Sequence, residues 1–142
     1  MHQLIYTSQA TRPISDADLT ELLQWSRQWN AKYGVTGVLL YGNERFVQVL
    51  EGKVAALAEL YGRILRDSRH HTVVRLAYGP IAERRFAQWS MAFRATAPAQ
   101  MAELVGYANP EHLKLRRTEL GTPNGPLLQI IQDFAHDASS EL

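Results

Sequence analysis

A few polar side chains stand where the surrounding sequence calls for apolar ones. Gln48 lies inside RFVQVLEG (45–52), which as a strand puts Phe46, Gln48 and Leu50 on one face and Val47 and Val49 on the other. Whichever face is inward, the amide has apolar neighbours, and an unpartnered buried carboxamide costs about 1–3 kcal/mol. Tyr6 sits in the apolar run LIYTSQA (4–10), and Asn30 ends a helical stretch where the chain turns back toward the next strand. Arg63, Arg66, Asp67, His70 and His71 bunch farther on. Tyrosine, glutamine and asparagine around one pocket supply donors and acceptors but no general base. Such a set suits the holding of a planar, amide-like heterocycle better than hydrolysis.

Each residue alone has a plainer explanation. A strand tyrosine is usually core with its hydroxyl at the rim, and an asparagine near a helix end is usually a cap or turn residue. Arg63 and Arg66 read as a solvated face. Trp25 and Trp29, four apart on one helix face, read as core. His70 and His71 are adjacent, so they do not converge on one ion, and no metal site is expected. The argument therefore rests on the set and on what positions it.

The elements follow from periodicity and punctuation. A strand over His2–Ser8 leads into the polar loop QATRPIS, where Ser15 caps a helix with Asp18 in the capping-box position. That helix carries Leu19, Leu22, Leu23 and Ser26 at helical spacing and runs out near Lys32, before Gly34. VTGVLLY (35–41) and RFVQVLEG flank Gly42–Asn43, a hairpin signal. A second helix spans 54–67 with Val54, Leu57, Tyr61, Ile64 and Leu65 on its apolar face. TVVRLAYG (72–79) is the fourth strand, and a fifth lies around Trp89–Phe93.

The order βαββαββ predicts an α+β, ferredoxin-like sheet with two helices on one face. Tyr6 and Gln48, with either Trp89 or Ser90, share a face if strands one, three and five lie side by side. The opposite side, with Val47, Val49, Ser90 and Ala92, is apolar or small and needs a cover. NGPLLQIIQDFAHDA (124–138) opens with Asn124 and Pro126, and its Leu127, Ile130, Ile131, Phe134 and Ala138 make one apolar stripe. The organisation expected is a sheet-and-helix unit over 1–96 and a C-terminal helical extension over 97–142. That extension covers the second face within the chain or across a homodimer or larger oligomer.

Composition bounds the function. The 142 residues carry a formal net charge of +1, with 46% hydrophobic and 20% charged residues and no cysteine. One domain with a sizeable core fits that length. Near-neutral charge argues against a nucleic-acid or anionic-membrane partner. The lack of cysteine removes disulfides and thiolate chemistry. No stretch approaches the roughly 20 apolar residues of a membrane helix, and MHQLIYTSQA is no signal peptide, so a cytoplasmic location is expected.

Taken in order, the segments resemble the BLUF family, blue-light sensors that use FAD, over residues 2–94. LIYTSQA resembles the family's first strand, with its tyrosine at Tyr6. WNAKYGVTGVLLY (29–41) is similar to the N-x-x-x-G-[IV]-T-G signature, with the flavin-binding asparagine at Asn30. RFVQVLEG resembles the third-strand motif, with the switch glutamine at Gln48. YGRILRDSRHH (61–71) resembles the second-helix segment, which carries cofactor-binding roles to Arg63, Asp67 and His70. RRFAQWSMAF (84–93) matches F-x-x-W-S-M, placing the family's variable pair at Trp89 and Met91. Two departures are Gln88 before Trp89, and Trp29 before Asn30, where an indole could stack on the ring or offer a rival electron donor.

The resemblance implies that the unit over 1–96 binds flavin, with FAD as cofactor, and is a photoreceptor rather than an enzyme. Light would oxidise Tyr6, move its proton through Gln48 and re-pair the amide, and the strands bearing Gln48, Trp89 and Met91 would carry the change outward. Output would pass to a downstream protein partner or an oligomer change, since no effector domain is apparent. Two rivals share the fold. An RNA-recognition motif would want more aromatic residues than GNERFVQVL has, and an acylphosphatase-like enzyme would want a glycine in SQATRP.

Overall fold

A computed structural model describes residues 1–99 together with Met101 and Ile131. Its elements are β1 (His2–Ala10), α1 (Asp16–Tyr33), β2 (Thr36–Gly42), β3 (Arg45–Gly52), α2 (Val54–Arg66), β4 (His70–Pro80) and β5 (Ala92–Ala95). Helix α1 starts where Ser15 takes the Asp18 N–H on its hydroxyl at 3.1 Å. It stops at Gly34, left-handed at φ 69, whose N–H returns to the Asn30 carbonyl. That closure sends the chain back toward the sheet directly after Asn30.

The five strands order as β4-β1-β3-β2-β5. All pairings are antiparallel except β2 with β5. Strands one and three are neighbours as expected, whereas β5 lies across β2 from β3. Strand β3 is already paired on both edges, so the fifth strand takes the free edge of β2. It also begins later than the sequence suggests, at Ala92, leaving Trp89–Met91 as irregular chain. The hairpin turn likewise shifts by one residue. Asn43 and Glu44 are the left-handed pair, at φ 51 and 59. Gly42 belongs to the strand, where a Cβ would come within 2.3 Å of the Thr96 carbonyl oxygen.

Alternation along the strands divides the sheet into two layers. Leu4, Tyr6, Leu39, Phe46 and Leu50 face the helices and meet Leu23, Leu57 and Leu60. Ile5, Val38, Leu40, Val47, Val49 and Ala92 face the other way and meet Leu76, Ala77 and Phe86. Met101 and Ile131 are both wholly buried in this second layer. The helix expected over 124–138 otherwise lies outside the described residues.

Candidate functional site

Between α1 and α2, above the strands, the helix-side layer opens into a cavity of about 350 Å³. Its floor is set by register. Tyr6 and Gln48 are direct partners across β1 and β3, so both side chains rise on the same face. Tyr6 Oη donates to Gln48 Oε1 at 2.5 Å, and Gln48 Nε2 donates to Met91 Sδ at 3.3 Å. The amide is 7% exposed and uses one strong and one weak bond. Burial, reinforced by the negative charge of Asp67 and by Tyr61, pushes the Tyr6 phenol far above its ordinary range.

Asn30 forms the wall beside them. It falls on the buried stripe of α1 with Leu23 and Ser26. Its Nδ2 donates to the Ser90 carbonyl at 2.6 Å, which fixes the amide orientation because a carbonyl can only accept. Oδ1 is buried with no hydrogen-bond partner among the described residues. An unpaired acceptor at a cavity wall calls for a ligand N–H or a water.

The α2 end closes the far side. His70 Nε2 meets the Ile64 carbonyl at 2.6 Å and Nδ1 meets Ser8 Oγ at 2.7 Å, so a neutral ring carries its proton on Nε2. Its ring centroid lies 6.2 Å from that of Tyr6, edge to face. Burial alone would raise the Asp67 carboxyl. The paired Arg69 outweighs it, holding two bonds from Nε and one from Nη2, and keeps Asp67 below the usual carboxylate range. Arg63 reaches the cavity from an exposed turn, where it pairs with Glu59.

The structure thus brings Tyr6, Asn30, Gln48, Arg63, Asp67 and His70 to one cavity, with Met91 touching Gln48. It does not bring Trp89 there. Trp89 packs on the second layer and stacks on Phe86 at 5.7 Å, because the chain passes from one face to the other between residues 89 and 91. Trp25 also departs from expectation, whereas Trp29 packs partly buried against the helix-side core as expected. Trp25 is 41% exposed and lines the cavity, since it lies off the buried stripe of α1. Trp29 meets Tyr33 in a tilted ring contact at 4.3 Å and lines a separate groove, away from the cavity. Residue types and spacing do not single out Trp25, Ser26 and Arg69 as lining residues, which they are, and Arg66 also lines the cavity where a solvated face is expected. Ser26 was within reach, one helical turn before Asn30; Arg69 was not, because its place depends on the turn that folds it onto Asp67.

Among the described residues no helix is long and apolar enough to cross a membrane. No group of three or more histidine and carboxylate side chains among them could hold a metal.

Comparison with known proteins matches this geometry to a specific family. A family model described as sensors of blue light using FAD matches residues 1–92. The photoactivated adenylate cyclase subunit beta of Euglena longa is 45% identical over 89 residues, 62% of this chain and 10% of that protein. The chain thus spans about a tenth of the length of the first curated relatives it matches. Among solved structures, the dark state of the BLUF protein BlrB superposes with a TM-score of 0.65 at 33% identity, covering 82% of this chain and 92% of that one. Klebsiella pneumoniae BlrP1 with FMN and cyclic diGMP superposes at 0.64 and 33% identity, over 96% of this chain and 34% of that one.

Proposed function

This chain belongs to the BLUF family of blue-light sensors, and from that premise we propose that Tyr6, Gln48 and Met91 form its switch around a bound FAD. One observation carries the reading. A contact chain runs from Tyr6 Oη through both ends of the Gln48 amide to Met91 Sδ, and Tyr6 and Gln48 line the cavity. Flavin, when bound, supplies a ring that absorbs blue light and becomes a strong oxidant. The donor set fits its pyrimidine edge, which presents an N–H between two carbonyls: Asn30 Oδ1 is an unpaired acceptor, and Arg63 and His70 line the same space. Asp67 holds its place by gripping Arg69. We take FAD over FMN from the family description.

The residues themselves explain a two-state response. Burial keeps Tyr6 protonated, so its proton leaves only once the ring has lost an electron. The 2.5 Å bond gives that proton one destination, Gln48 Oε1. When it returns, the amide is free to re-pair with oxygen and nitrogen exchanged. A phenol hydroxyl both donates and accepts, so Tyr6 accommodates either orientation. Only the weak Nε2–H···S bond to Met91 prefers one. A hydrogen-bond network with a second way of pairing is what a sensor requires.

Trp89 takes its part from the second layer, with Met91 on the cavity side of the same short segment. The strand bearing Gln48 and the segment bearing Trp89 and Met91 carry the change outward, to a cytoplasmic protein partner or to an oligomer change. We assign no catalytic role within this stretch.

A visible spectrum in darkness and then under blue light tests the reading. Flavin bands that move reversibly to the red without bleaching are expected. Gln48→Leu should stay yellow and lose the shift. Bleaching in place of a shift, or no flavin after reconstitution with FAD, would refute it.

A further inference from the structure

We propose that Glu51 is a positioning residue for the switch: through the turn at 84–86 it holds the segment Trp89–Met91 in register with Gln48 and Asn30. The functional part of this rests on the switch reading above. The structural part does not.

Glu51 follows Gln48 by three residues on β3, so it points into the opposite layer, where it is 0% exposed. A carboxylate in an apolar layer is costly unless its oxygens are all hydrogen-bonded, and apolar replacements of similar volume are often as stable. Its presence therefore asks for a positional reason. Oε2 accepts the Arg85 N–H at 2.6 Å. Oε1 accepts the Phe86 N–H at 2.9 Å and the Thr36 hydroxyl at 3.1 Å. Arg84 closes the clamp, donating to Thr36 Oγ1, the Glu51 carbonyl and the Gly34 carbonyl at 2.8, 3.1 and 2.6 Å. The turn is thereby tied to β3, β2 and the C-cap of α1 together.

What the turn carries next is the inner contact set of the cavity. Gly37 N–H donates to the Trp89 carbonyl at 3.0 Å, steering the chain around β2. Ser90 then offers its carbonyl to Asn30 Nδ2, and Met91 its sulfur to Gln48 Nε2. Arg27 Nε secures the Met91 carbonyl at 2.9 Å. Both amides that face the cavity thus take one hydrogen-bond partner from a segment that begins three residues after Phe86, whose N–H Glu51 holds. One strand carries both the switch amide and the anchor of its partner.

Glu51→Gln breaks the clamp with little change in shape, because an amide nitrogen must face one N–H that the carboxylate accepted. In the flavin-loaded protein kept dark, the side-chain NH2 resonances of Asn30 and Gln48 should both move, although neither residue touches Glu51. Return to darkness after illumination should change about fivefold, the rate equivalent of one lost hydrogen bond. Met91→Leu should change it in the same direction, and the double variant should differ little from either single one. Unmoved Asn30 and Gln48 resonances, or effects that multiply in the double variant, would overturn the proposal. If Glu51→Gln does not fold, Arg84→Gln loosens the same turn and takes the same two readouts. A wild-type protein with no photocycle would sink the switch reading instead, while the dark resonances would still decide Glu51.

Discussion

On the helix side of β3, Gln48 is held by one strong and one weak bond, and Asn30 beside it keeps an acceptor without a partner among the described residues. On the other side, Val47 and Val49 are sealed to zero exposure and Glu51 has both carboxylate oxygens occupied. Gln3, whose amide is unpaired among the described residues, and Thr96, whose hydroxyl lies against Gly42 without a partner among them, are exceptions there. The two sides share one strand and differ by a single step of the pleat. A face sealed by apolar side chains around a fully bonded carboxylate has one arrangement, whereas a face with a cavity, a weak bond and a missing partner beside it has room for a ligand and for a second arrangement. Stability sits on the sealed side and responsiveness on the open side.

Four changes would break or sharpen that contrast. The largest effect should come from the sealed side: Leu40→Ala leaves a cavity where nothing can enter, and should cost about 2–5 kcal/mol in urea unfolding. If it cost no more than a surface change, the second layer would not be the core. Asn30→Ala attacks the open side through its free acceptor. We expect stability within about 1 kcal/mol of wild type without flavin, and flavin affinity down by about tenfold or more, read by fluorescence titration.

The third test uses pH. The folded protein keeps the Tyr6 proton well above about pH 10, where the unfolded chain releases it. The unfolded state then binds fewer protons, so stability falls as pH rises through this range, by about 1.4 kcal/mol per unit. Tyr6→Phe should flatten that slope relative to wild type, and parallel slopes would mean that Tyr6 titrates freely. Arg69→Ala should have the smallest effect, under about 1 kcal/mol at neutral pH, because the pair is partly exposed. Asp67 is held low, so its contribution is present above about pH 4 and lost in acid. The variant should therefore match wild type at low pH.

Much of the fold and of the cavity is legible in the residues, and particular positions show why. Ser15, Gly34 and the alternation of RFVQVLEG are local signals, so the elements come out in the right order. The apolar residues on both sides of β3 make Gln48 anomalous on sequence grounds alone. Trp25 misleads because spacing pairs it with Trp29, which does pack on the core, without saying where the edge of the buried stripe falls. Gly42 reads as a turn residue because glycine serves close approach as well as turning, and only Thr96 distinguishes the two.

The sequence by itself determined the elements, the two apolar faces and the polar residues that needed an explanation, because hydrophobic period and capping act over a few residues. Only the tertiary structure decided that β5 joins β2, that Trp89 and Met91 part to opposite layers, and that Glu51 grips the turn at 84–86. Those outcomes depend on which strand edge is left free and on contacts between residues 34 to 64 positions apart in the chain. No local pattern encodes such pairings; they are settled when the sheet closes.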